Sequence, residues 1–446
     1  MKLKIFLLQL ILLVTVFISC KKSDDTSDIL VSESTLTTSI TGVIKNESGQ
    51  PLTGVIVSVG NTSTTTDASG LYNLNNITVN SSRCLIKCQR SGLLDQYYGL
   101  IPFSNEITYA NIIMMSAEGT YNFQSSAGGL FSLPDGSSAT FPANAVARED
   151  GTPYNGTVTI NLKYINVDDT DFRKKIPGND LLAIDKTDKS KILYSYGMMN
   201  AELTSSTGEK LNLANGKTVE LMFPVSSTQN TAPATIPVWH FDTSSGLWKE
   251  EGTATKSGND YIFNVSHFSW WNCDVQSTMA TIKGKVTSCS GNPIANIAVI
   301  ANGLYGVYTN NSGEFQGLIP TNINISVYAE NNNLEVTQTE IIPQLTPGST
   351  HTLPDLVFSS LTNTLTISGT IADCDNSPMS GLAVITGPQG YWSSQYTGNN
   401  GAFSFSVTSG STYTITVSVN GLSNQYTVNP TAVGNCDEFA IGLLPL

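Results

Sequence analysis

Three segments of this chain carry the same punctuation. A Gly is followed nine positions later by a Pro at Gly42–Pro51, Gly284–Pro293 and Gly369–Pro378. Each is followed by apolar residues at alternate positions: Val55, Val57 and Val59; Ile297 and Val299; Leu382 and Val384. Each then reaches a turn with Asp or Asn, Gly and an aromatic: Asp67…Gly70-Leu71-Tyr72, Asn310…Gly313-Glu314-Phe315 and Asn399…Gly401-Ala402-Phe403. Period-two alternation predicts strands with one buried face. The Gly/Pro clusters predict tight turns, and the later Gly predicts a positive φ there. The aromatic two residues on is placed to plug a sandwich. The second and third copies start 85 residues apart, the size of a seven-stranded sandwich. The fold class expected is therefore all-β, built of tandem β-sandwich domains.

Composition agrees. Only 13% of residues are charged, and there are 37 Gly. A polar surface must then come from Ser, Thr, Asn and Gln, which suits turn-rich sheets over helices. The net charge of −13 argues against binding to nucleic acid, whose phosphates would be repelled. It argues equally against docking on anionic headgroups without a covalent anchor.

The N-terminus offers such an anchor. Lys2 and Lys4 precede an apolar run from Ile5 to Ile18, too short to span a bilayer comfortably and the length of a signal-peptide core. It ends Phe17-Ile18-Ser19-Cys20. This resembles the lipobox of bacterial lipoproteins, which implies cleavage before Cys20 and lipidation of its thiol. Lys21-Lys22-Ser23-Asp24-Asp25 resembles the charged export tag of Bacteroidota surface lipoproteins. That resemblance implies a location on the outer membrane, facing the exterior. The expected layout is a signal peptide (1–19), a lipidated Cys with a flexible tether (20–37), and domains over 38–116, 117–274, 278–359 and 363–446.

The repeated punctuation resembles the carboxypeptidase regulatory-like domain, a transthyretin-like sandwich, over about 38–116, 278–359 and 363–446. The resemblance implies a non-catalytic module grouped with carbohydrate-binding-like folds. The segment 117–274 lacks the repeat. Gly128 to Val146, with Phe141-Pro142-Ala143-Asn144-Ala145, and the alternating run Thr157–Tyr164 resemble the ZU-type β-sandwich. Trp239, Phe241 and Trp248 are expected in its core.

Cys20 aside, six Cys are available for disulfides in an oxidising compartment. Cys374 with Cys436, and Cys273 with Cys289, are the candidate pairs. Cys84 and Cys88 would be about 13 Å apart on a regular strand, so they need a bulge or stay free. No metal site is expected. His240, His267 and His351 are scattered, and no hydrolase, metalloprotease or phosphate-loop motif occurs. Asp168, Asp169 and Asp171, with Asp180 and Asp185 beyond, could hold calcium, but a solvated acidic loop is the favoured reading.

Two segments raise sharper ideas. His267-Phe268-Ser269 resembles the self-cleavage sequence of certain ZU-containing adaptors and of adhesion-receptor autoproteolysis domains. The resemblance implies attack of Ser269 on the Phe268 carbonyl, with His267 as base. Simple aromatic packing is favoured, with Phe268 and Trp270 on one strand face and His267, Ser269 and Trp271 on the other. Tyr391 and Trp392, in a Gly/Pro loop, could form a platform for a sugar or protein, or fold over the sandwich edge. The functional expectation is a non-catalytic surface protein for adhesion, glycan or protein binding, or spacing; self-processing at Phe268–Ser269 is the alternative.

Overall fold

The computed structural model describes residues 34–331, 335–358, 364–388, 392–419, 422–431 and 438–445. It is nearly all β, with 58% of residues in strands and 1% in helix, which confirms the expected class. The described helix is the single turn Phe172–Lys175.

Each punctuated segment builds the same pair of sheets. In the first, Thr35–Asn46 pairs antiparallel with Leu71–Asn80 and parallel with Ile107–Tyr109 and Ile112–Met114. The second sheet holds Thr62–Thr65, Ile56–Val59, Cys84–Gln89 and Gln96–Leu100 in that order. Ile40, Ile44, Val57, Tyr72 and Ile86 from both sheets share one core. In the second, Met279–Ser288 pairs antiparallel with Glu314–Pro320 and parallel with Thr350–Thr352 and Leu356–Phe358. In the third, Thr364–Ala372 stands between Ala402–Thr408, antiparallel, and Glu438–Pro445, parallel.

The repeated residues explain the repeated geometry. Pro51, Pro293 and Pro378 each bridge back to the opening strand, at Lys45, Thr287 and Ala372. Gly70, Gly313 and Gly401 have φ of +73°, +73° and +64°, and a Cβ there would lie 2.4–2.6 Å from a carbonyl oxygen of the opening strand. Only Gly meets both demands. A Cβ on Gly284 or Gly369 would strike the ring of Phe315 or Phe403 at 2.8 or 2.6 Å. The opening Gly thus makes room for the aromatic plug of its own repeat.

Residues 119–277 form one 13-stranded sheet. Its two faces feed different cores. Phe141, Val158, Phe223, Val238 and Trp271 gather in one. Trp239, Phe241, Trp248 and Trp270 join Tyr97 of the first sandwich and Val299, Phe315 and Ile325 of the next in the other. Trp239, Phe241 and Trp248 are fully buried, as expected from sequence. The 13-stranded sheet thus shares a continuous hydrophobic core with the second sandwich and with Tyr97 of the first, whereas the third sandwich keeps a core of its own.

Candidate functional site

His267-Phe268-Ser269 lies in the connection between Asp260–Val265 and Trp270–Ser277, not within a strand. This corrects the expected division of faces. Phe268 stacks on Phe141 at 5.4 Å and packs with the core that holds Trp271, whereas Trp270 belongs to the other core. Parity fails because the chain leaves the extended conformation over residues 266–269. The Ser269 hydroxyl donates to the Trp270 carbonyl oxygen at 3.0 Å. His267 Nε2 instead lies 2.9 Å from Glu251 Oε2. The nucleophile and base of the self-cleavage scheme are not brought together, and none of the three residues has a left-handed backbone.

What the structure does assemble is a cluster of His240, Glu251 and His267. His240 stands on Thr235–Asp242, and the antiparallel neighbour Leu247–Ser257 carries Glu251. Their register slips between Val238, opposite Gly252, and Trp239, opposite Glu250. Glu251 is the extra residue of this β-bulge, a feature that re-aims a side chain. Its Oε2 lies 3.4 Å from His240 Nε2 and 2.9 Å from His267 Nε2, while Ser266 Oγ donates to its Oε1 at 3.2 Å. The two imidazoles stand edge to face, 4.8 Å apart. Trp271 Nε1 donates to the His267 carbonyl oxygen at 3.1 Å and fixes the connection. Burial, then the neighbouring His267, hold the His240 pKa below the ordinary imidazole range. Both histidines line a cleft of about 510 Å³ between the first sandwich and the 13-stranded sheet, walled also by Lys87, Asp95 and Tyr97.

A second concavity, of about 1060 Å³, lies among the three repeated sandwiches. Asn75, Asn105, Asn311, Ser380, Tyr396 and Asn400 line it. Hydrogen bonds across the junction hold its walls. Tyr109 Oη donates to Asn311 Oδ1 at 2.7 Å, and Asn311 Nδ2 donates to the Tyr396 carbonyl oxygen at 3.0 Å.

No family model matches the chain, and no curated protein matches it. Among solved structures it is similar to the Bacillus anthracis TIE protein, at 8% identity over 92% of this chain, with a TM-score of 0.17. The chain spans 50% of that structure's length. It is also similar to the major pilin subunit BcpA of Bacillus cereus, at 10% identity, covering 91% of this chain and 99% of that one, TM-score 0.14. The full-length major pilin SpaD of Corynebacterium diphtheriae gives 9% identity, 91% and 96% coverage and a TM-score of 0.17. Overlaps this weak carry no argument about function.

The other sequence candidates are dispersed. Cys20, Tyr391 and Cys436 lie outside the described residues, as does the side chain of Trp392. Trp392 itself opens the strand Trp392–Tyr396 and pairs with Thr386. Cys273 and Cys374 are free thiols, so neither expected disulfide forms. Cys273 is sealed in a core opposite Val238. Cys289 is disulfide-bonded. Cys84 and Cys88 remain free, on one buried face of Cys84–Gln89. The acidic residues do not converge. Asp168 accepts from Ser226 and Thr228, Asp169 pairs with Lys175, Asp171 with Lys174, Asp180 with Arg83 and Asp185 with Lys191. Sequence reasoning missed Glu251 and the meeting of His240 with His267. Nothing in the sequence paired the two histidines, because a bulge has no sequence signature of its own.

Proposed function

We propose that this chain is a lipid-anchored surface protein that binds an extracellular ligand without catalysis. In this reading Cys20 carries the lipid on the outer membrane. Carboxypeptidase regulatory-like sandwiches over 38–116, 278–359 and 363–446 then flank a ZU-like domain over 117–274. One observation carries the binding part: the groove among the three repeated sandwiches. Its walls offer amides and hydroxyls, with Asn75, Asn105 and Asn400 exposed, beside the single carboxylate of Glu106, which accepts from Ser312. Side chains of that kind exchange hydrogen bonds with an uncharged polyhydroxyl ligand without the desolvation cost of a charge. A glycan is the ligand class this favours.

Two experiments test the reading. The full chain, purified in detergent, is presented to a glycan array. Saturable binding that is lost in an Asn105→Ala/Asn400→Ala variant of unchanged melting temperature supports the groove; a blank array with folded protein overturns the glycan assignment. Cys20→Ser should abolish metabolic labelling with palmitate and release the protein from the membrane fraction. Retention of the label would refute the anchor.

A further inference from the structure

We propose that His240, Glu251 and His267 form a binding site for a zinc ion, independent of the groove and of any ligand bound there. Three Lewis-basic groups converge with their ligand atoms all within 4.8 Å of one another. In a tetrahedral zinc site, bonds of about 2.0–2.1 Å to nitrogen and oxygen place neighbouring ligand atoms about 3.3 Å apart. The two His–Glu separations, 2.9 and 3.4 Å, bracket that value. An ion needs the ligands to part or close only by tenths of an ångström along these edges.

The surroundings are those of a held site. The bulge turns Glu251 toward both histidines. Ser266 occupies the second carboxylate oxygen and leaves Oε2 for the ion, a supporting contact of the kind that orients metal ligands. Trp271 holds the backbone of His267, and its ring lies tilted against both imidazoles, at 4.9 and 5.7 Å. Two imidazole nitrogens and one carboxylate select a borderline metal such as zinc over calcium or magnesium, which prefer all-oxygen sets. Three protein ligands leave a fourth position, and the cleft beside the histidines gives water or an anionic group access to it. The ion would clamp the connection carrying His267-Phe268-Ser269 onto the two strands below it. His267 then serves as a ligand.

The test uses the full chain in detergent, stripped with chelator and titrated with Zn²⁺ by calorimetry, with Ca²⁺ as control. The expected result is one saturable Zn²⁺ site per chain that Ca²⁺ does not fill. Affinity should fall at least tenfold in Glu251→Gln and in His267→Gln. The melting temperature of the parent chain should rise with Zn²⁺, and that of His267→Gln should not. Because these side chains are partly exposed, the variants should fold, and near-ultraviolet circular dichroism checks it. Should a variant fail to fold, Co²⁺ binding to the parent chain decides. Visible d–d bands of a four-coordinate nitrogen–oxygen site support the proposal, and their absence overturns it. Absence of stoichiometric Zn²⁺ binding, or Zn²⁺ binding undiminished in both variants, also overturns it.

Discussion

Arg83 and Asp180 meet across the junction of the first sandwich and the 13-stranded sheet through two parallel bonds. Nε donates to Oδ2 and Nη2 to Oδ1, each at 2.9 Å. Arg83 also reaches the Ser245 and Gly178 carbonyl oxygens. Its side chain is only 8% exposed, so this is a nearly buried fork on a carboxylate and two carbonyls. Beside it the Tyr98 strand bridges in parallel to Gly178, and Leu85 packs at Gly246. Removing either charge strands the other. Arg83→Ala or Asp180→Ala should each cost about 3 kcal/mol by urea denaturation. Arg83→Lys should recover only part of that loss, because a point charge cannot make both parallel bonds.

This junction marks where sequence reading stops. The repeated Gly, Pro and aromatic positions were legible because each is imposed by local backbone geometry, at Gly313 by its positive φ and at Gly284 by the ring of Phe315. Burial of Trp239 and Trp248 followed from their size and strand context. Arg83 and Asp180 lie 97 positions apart, and nothing in either neighbourhood marks a partner. Glu251 joined the two histidines through a one-residue register slip, which alternation patterns read as uninterrupted. The disulfide expectation failed for a related reason. Spacing brought Cys273 and Cys289 close in sequence, but Cys273 points into a core.

Thiol accessibility divides the described cysteines sharply. Cys374 is exposed, whereas Cys84, Cys88 and Cys273 are buried. Burial pushes the Cys84 thiol up to about 12 and raises those of Cys88 and Cys273 as well. Brief maleimide treatment of the native chain, followed by peptide mapping, should label Cys374. Label should reach Cys84, Cys88 and Cys273 only after denaturation. Native labelling of Cys273 would contradict the core described here.

Asp274 is fully buried beside Asn272, whose Nδ2 donates to its Oδ2 at 2.5 Å. Burial drives its carboxyl well above the ordinary range. The folded chain therefore holds a proton that the unfolded chain loses above about pH 3.9. The resulting stability is complete below that pH and is lost as pH rises toward the folded-state value. Asp274→Asn keeps the shape and removes the titration. The variant should exceed the parent in urea midpoint at pH 7, and its midpoint should change less between pH 4 and pH 7. An equal change in both proteins would assign the pH dependence elsewhere.

A threonine that no motif announced ties each repeat together. Thr309 Oγ1 accepts the Ile297 N–H at 3.0 Å and donates to the Ile294 carbonyl oxygen at 2.7 Å. Thr66 serves Val55 and Leu52 in the same way, and Thr397 serves Gly381 and Met379. In each case the hydroxyl closes the loop that follows the repeat's Pro, where an extended backbone would leave a donor and an acceptor unpaired in the core. All three threonines are buried. Thr309→Val preserves the volume and the β-branch but removes the hydroxyl, leaving both backbone groups without a partner. The cost should be about 2–6 kcal/mol, since each of the two orphaned groups loses about 1–3 kcal/mol. Thr309→Ser, which keeps the hydroxyl, should recover most of it. Urea denaturation of the two variants checks this; equal stability for Val and Ser would show that side-chain packing, not the hydroxyl, closes the loop.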